Sequence, residues 1–128
     1  MPTFPVVTGD VLTSTIFNGL PAFTVQTAKT VDYTAASGDE YQQLIPMNKA
    51  TAVAFKIPTD VTYALPTGTV ITVLNIGVGA VTISATTSAT TTILSAGTVA
   101  AQPTLAQYKS AACIKTAANA WYVVGAIA

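Results

Sequence analysis

The sequence predicts an all-β fold: a single antiparallel β-sandwich or barrel, with a jelly-roll as one form of it, preceded by an extended arm and one short helix. Three observations predict it. Of 128 residues, 51% are hydrophobic but only 8% charged and 8% aromatic. Much of that apolar content is Val and Ala, with Thr abundant beside it, and Val, Ile and Thr are stiff at χ1 and suit pleated sheets. Short runs of alternating polarity recur about every ten residues, separated by Gly, Pro, Asn and Asp, which is the spacing of a sandwich or barrel. Finally, Thr69-Val-Ile-Thr-Val-Leu-Asn-Ile-Gly-Val-Gly-Ala-Val-Thr-Ile-Ser-Ala85 contains two strand-like runs around a glycine pair.

Residues 1–29 read as an arm and a helix, and residues 30–128 as the β-domain. Pro2 and Pro5 flank Phe4, and Val6 and Val7 follow, so the arm is barred from a helix or a central strand. An apolar arm of this kind either docks on a neighbour or remains a loose terminus. Asp10 is a good N-cap, and Leu12, Ile16 and Leu20 recur every four residues with Phe17 beside them. Asn18, Gly19 and Pro21 end that helix. Two to three turns are too short to stand alone, so the stripe must pack on its own sheet or on another subunit.

The β-domain opens with Val31, Tyr33 and Ala35 alternating against Asp32 and Thr34. Residues 37–40 follow as a polar, solvated turn. Residues 41–46 and 52–57 form strands around a turn at Met47-Asn-Lys49. In the second of these, Val53, Phe55 and Ile57 share one face. In the 69–85 stretch, Val70, Leu74 and Ile76 oppose Ile71 and Val73, so this strand expects cover on both sides. Val81, Ile83 and Ala85 mark a half-buried partner, and Gly77 and Gly79 are expected to supply positive-φ freedom for a hairpin. The threonine-rich residues 86–92 form a loop or solvated strand edge, with an intersubunit Thr ladder as the alternative. Ile93-Leu94, residues 105–110, 112–116 and 121–127 complete eight or so strands. Trp121 closes the core, and there is no clear internal repeat.

Composition restricts function. Five Lys balance five acidic residues, and the chain has neither Arg nor His. Nucleic-acid binding is disfavoured because phosphate tracking needs clustered cations. Zero net charge on an apolar surface favours assembly. The lone Cys113 makes no internal disulfide and reads as a small buried hydrophobe. The usual Ser or Cys triads lack their base, histidine metal ligands are absent, and no phosphate-binding loop is present. Asp39 and Glu40 are adjacent, and would face opposite ways on a strand. No catalytic residue, cofactor or metal site is expected, and the chain reads as a non-enzyme. Neither a secretion signal nor an apolar run long enough for a membrane helix is visible.

The run Gln43-Leu-Ile-Pro-Met-Asn-Lys-Ala-Thr-Ala-Val-Ala-Phe-Lys-Ile-Pro58 resembles a β-domain of tailed-bacteriophage virion proteins. Pro66-Thr-Gly-Thr-Val-Ile71, Asn75-Ile-Gly-Val-Gly-Ala-Val-Thr-Ile83 and Leu94-Ser-Ala-Gly97 resemble its next elements. Gln107-Tyr-Lys-Ser110, Ile114-Lys115 and Trp121-Tyr-Val-Val-Gly125 resemble its closing strands. Gly9-Asp-Val-Leu-Thr13 with Asn18 resembles a lead-in helix of phage tail and fibre proteins. The family often has Arg or Gln where this chain has Val, Ala or Ser. The resemblance implies a virion structural protein made in the host cytoplasm, most simply a trimeric capsid decoration (cement) protein that bridges capsid subunits. Its partners would be further copies of itself and the major capsid protein or another virion protein, with no nucleic acid or membrane. Phe4, Val6, Val7, Leu12, Ile16 and Phe17 are the expected contacts. The alternative is a head- or tail-fibre module that binds a host glycan through residues 86–92 and 37–40.

Overall fold

The computed structural model describes residues 25–40, 44–95 and 102–127. The expected arm and helix, with Phe4, Val6, Val7, Leu12, Ile16 and Phe17, lie outside the described residues. Among those described there are nine strands and no helix: β1 (Tyr33–Thr34), β2 (Leu44–Met47), β3 (Val53–Ile57), β4 (Val70–Asn75), β5 (Val81–Ala85), β6 (Thr92–Ser95), β7 (Thr104–Leu105), β8 (Ser110–Ala117) and β9 (Ala120–Gly125). They make a four-stranded sheet, β1-β3-β5-β7, and a five-stranded sheet, β2-β4-β8-β9-β6.

The all-β class holds, but the expected antiparallel sheets are mixed. β1 with β3, β3 with β5, β2 with β4, and β6 with β9 all pair parallel. Only β4 with β8, β5 with β7, and β8 with β9 run antiparallel. The expected hairpin across residues 69–85 is also overturned, because β4 belongs to the five-stranded sheet and β5 to the four-stranded one. The glycine pair therefore turns the chain from one sheet to the other, forming an arch.

A second arch lies directly against it. β2 passes to β3 through residues 48–52 just as β4 passes to β5 through residues 76–80. Leu44 pairs with Thr72 and Val53 with Val81, the same 28-residue offset on both sides of the turn. Residues 25–29 add a third rung: Val25 bridges Leu44, Lys29 bridges Met47, and the chain then crosses to β1 beside β3. Among the described residues, β pairing is thus present from Val25 onward. Residues 44–57 and 72–85 repeat structurally, although no repeat is evident in the sequence.

Gly77 and Gly79 serve close approach, not positive φ. A Cβ on Gly77 would lie 2.4 Å from the backbone N and O of Lys49, and one on Gly79 would lie 1.9 Å from the carbonyl oxygen of Thr51. Among the described residues the positive-φ glycines are Gly38, Gly68 and Gly125. The backbone N–H groups of Ile76 and Gly79 donate to the carbonyls of Met47 and Lys49, each at 2.9 Å. Buried Asn75 holds the bend from inside. Its Nδ2 donates to the carbonyls of Gly79 and Leu105, and its Oδ1 accepts from the N–H of Gly77.

The inward faces of both sheets contribute to one core. Phe55, Ile57, Val81 and Ile83 from one meet Ile45, Ile71, Val73, Trp121 and Val123 from the other. The outward faces differ. On the four-stranded sheet the outward positions are polar or small: Thr34, Ala54, Lys56, Thr82, Ser84 and Thr104. On the five-stranded sheet Val70 and Leu74 of β4 point outward and are only partly buried, so the two-sided cover expected for that strand is incomplete among the described residues.

Gly79→Ala is expected to lower the urea midpoint by a loss of about 3 kcal/mol, since the overpacked atom meets backbone that cannot rotate away. Val78→Ala, between the two glycines and exposed, should stay within about 0.5 kcal/mol.

Candidate functional site

Two clusters of polar groups, built on buried Asp39 and Lys115, stand where loops meet the sheets. The first surrounds residues 37–40. Asp39 is 4% exposed, and its carboxylate accepts from Tyr33 Oη at 2.8 and 3.0 Å, Gln26 Nε2 at 2.6 Å and the N–H of Ala36 at 2.8 Å. Glu40 accepts from the N–H of Gly38 at 2.6 Å and from Tyr63 Oη at 2.7 Å. The solvated turn expected here is therefore a built-in anchor. A buried carboxylate persists only when its lone pairs are satisfied, and the turn supplies those donors. Both carboxylates hold the loop from within. Burial, then the hydrogen bond and charge of Asp39, push the Tyr33 hydroxyl up to about 12. Lys29 Nζ sits 4.3 Å from the centre of the Tyr33 ring, and Tyr33 leans on Phe55 at 6.2 Å between centroids.

The second cluster centres on Lys115, which β8 carries on its inward face in line with Ala111 and Cys113. Its ammonium, 3% exposed, donates to Asp60 Oδ1 at 2.8 Å and to the Leu65 carbonyl at 2.5 Å. Asn119, at φ 52 in the β8–β9 turn, accepts from the N–H of Asp60 at 2.8 Å through Oδ1. Its own N–H donates to Asp60 Oδ2 at 3.3 Å. Residues 58–69, the long crossing between β3 and β4, are thereby tied to the β8–β9 turn. Sequence reading passed over Lys115, although period-two alternation along β8 places it on the core side.

Among the described residues, neither cluster presents a nucleophile beside a base. Cys113 is fully buried, and desolvation pushes its thiol up to about 12. Among the described residues no group of three His, Cys, Asp or Glu side chains is placed to hold a metal ion. No described helix is long and apolar enough to cross a membrane. Residues 86–90 form an exposed loop, while Thr91 turns inward and Thr92 starts β6. Trp121 is buried as expected, and its neighbour Tyr122 points to the outside.

What the surface offers is apolar. Leu94, Tyr122 and Val124, each about half exposed, line a shallow depression on the outer face of β6 and β9. Comparison with protein-family models, curated proteins and solved structures finds no match.

Removing the carboxylate with Asp60→Ala leaves the Lys115 ammonium buried without its counter-ion, and a loss of about 3 kcal/mol in chemical denaturation is expected. Tyr33 and Cys113 are neutral when protonated and hold the proton more tightly in the folded chain. Stability should therefore be full below about pH 9 and fall as pH rises toward 12, more shallowly in Cys113→Ala. A flat urea midpoint from pH 8 to 11 would contradict this.

Proposed function

We propose that this chain is a structural protein of a bacteriophage particle, most specifically a capsid decoration protein whose two sheets form a β-sandwich and which assembles as a trimer bridging neighbouring capsid subunits. The observation that carries the proposal is the ordered fit between the phage-like sequence runs and the fold. The run 43–58 covers β2, the first arch and β3, while 66–71 enters β4. The run 75–83 covers the second arch and the start of β5, and the closing runs fall at the end of β6 and on β8 and β9.

The chemistry of the chain supports the same reading. Its polar interior is spent on holding loops in place, and its zero net charge opposes no neighbour of either sign. Phe4, Val6 and Val7 of the arm, with Leu12, Ile16 and Phe17 of the stripe, supply the contacts. Apolar burial yields about 25 cal/mol per Å2, so ~300 Å2 at one contact gives about 7 kcal/mol before ordering costs. Repetition over a shell turns such contacts into a clamp.

Particles assembled without this protein are expected to release their contents at lower temperature, or under milder osmotic shock, than particles that carry it. Equal stability overturns the decoration role. Labelled antibody on intact particles should mark many positions over the shell. Marking confined to the tail would instead identify a fibre module, with the exposed 86–90 loop as the surface that meets the host.

A further inference from the structure

The two arches and the turn from β7 to β8 end on one side of the fold, and their backbones meet there. The N–H of Asn48 donates to the Lys29 carbonyl, that of Gly79 to Lys49, and that of Tyr108 to Asn75. Four segments are thereby aligned in order: residues 29–32, 48–52, 76–80 and 106–109. They form a ridge about three strand spacings long, or ~14 Å.

Two kinds of side chain stand on this ridge. Val31, Val78 and Tyr108 are 65%, 73% and 76% exposed. Lys29, Lys49 and Lys109 lie among them on three of the four segments, and none is in an ion pair with a described residue. Lys29 Nζ rests on the Tyr33 ring, which leaves its charge in place. The carboxylate at this end, Asp32, accepts from the N–H of Ala54 and faces Lys56. The other described acids sit toward the far ends of the strands: Asp60 with Lys115, Glu40 with Tyr63, and Asp39 with Gln26. Stacking therefore gathers at one end three lysines that are scattered in sequence.

Tyr108 sets the ridge apart further. Its φ of 65° is left-handed, a conformation glycine takes freely and tyrosine only under strain. Asn119, the other described non-glycine residue of this kind, serves the fold by accepting from the N–H of Asp60. Tyr108 instead holds its ring in solvent, where it adds nothing to the core.

The geometry points to this ridge as a docking surface for an acidic segment of another protein, its carboxylates facing the lysines and an apolar side chain seated beside Val78 and Tyr108. Three lysines without arginine are too few to track a phosphate backbone, and exposed valines offer nothing to one. A protein interface puts aliphatic and aromatic groups at its centre and charge at its rim. At about 3.3 Å per residue, four or five extended residues cover the ridge. The docking surface does not rest on the virion role, and it is tested on the isolated full-length protein.

The probe is a capped peptide alternating glutamate and leucine, titrated into isotope-labelled protein and followed by NMR. Amides of residues 29–31, 49–51, 77–79 and 108–109 are expected to shift most. Affinity should fall at least fivefold between about 50 and 300 mM salt. Lys49→Gln/Lys109→Gln should weaken binding at least tenfold; Lys109→Gln alone, at an exposed position, replaces it should the double variant fail to fold. Tyr108→Gly separates ridge from fold: the urea midpoint should rise as strain is relieved, while binding weakens at least fivefold. A lowered midpoint overturns the proposal, because the ring would then serve the fold. Absence of saturable binding, largest shifts elsewhere, or equal binding of a lysine–leucine peptide overturns it as well. Tighter binding of a DNA duplex or of heparin does the same, since the ridge would then take phosphate or sulfate.

Discussion

The fold depends on backbone meeting backbone where two arches stack. β2 and β4 are held side by side in one sheet, and β3 and β5 in the other, so the turns that join them must also lie in contact. At strand spacing there is no room for a side chain between the Lys49–Thr51 backbone and residues 77–79. Gly77 and Gly79 meet that requirement by having no Cβ, and Asn75 satisfies the polar groups that the bend would otherwise strand. Every parallel pairing of β2, β3, β4 and β5 keeps its register because both halves of the arch share one offset. A one-residue slip would turn Ile71, Val73, Val81 and Ile83 out of the core together.

The buried polar clusters complete what the arches begin. Stacked arches fix the strands but leave long connections to be placed, notably residues 58–69 and the turn at 37–40. Lys115 and Asn119 reach across to Asp60, and Asp39 gathers Gln26, Tyr33 and Ala36. The Lys115 cluster joins segments 55 and 59 positions apart, whereas Asp39 draws on donors no more than 13 positions away; each orders a loop whose own composition would leave it free. By contrast the surface pair Lys56–Asp32, at 3.9 Å and well exposed, contributes little. Among the described residues the ion pair held out of water is Lys115–Asp60, whereas Asp39 is buried among neutral donors.

Much of this was legible in the sequence, and the misses have physical reasons. Period-two alternation placed Val53, Phe55 and Ile57 on the core side of β3 and buried Trp121. The same alternation sets Lys115 in the core series of β8. The hairpin failed because Gly-Val-Gly between two β runs is the same local signal whether the strands pair with each other or cross between sheets. Which outcome follows is decided by long-range pairing, here with β2 and β8 for one strand and β3 and β7 for the other. The stacked repeat was invisible because its register is kept by backbone hydrogen bonds, with Lys49 and Thr51 opposite Gly77 and Gly79. Asp39 looked solvated because its donors come from residues 26, 33 and 36, and nothing in a Ser-Gly-Asp-Glu string announces them. The six expected contact residues fall outside the described part of the chain.

The two outward faces show how the same alternation can yield different surfaces. On the four-stranded sheet the outward residues are Thr, Ser, Ala and Lys, side chains that tolerate water and need no cover. On the five-stranded sheet the outward row is Val70, Ile114, Tyr122 and Leu94, from four strands separated by up to fifty-two positions in sequence. Strand propensity alone does not explain this, since Thr would serve the backbone as well as Val or Ile. The difference lies in what each face must meet. A face that only solvent touches has no reason to keep large aliphatic and aromatic groups in register. A face that another apolar surface covers does.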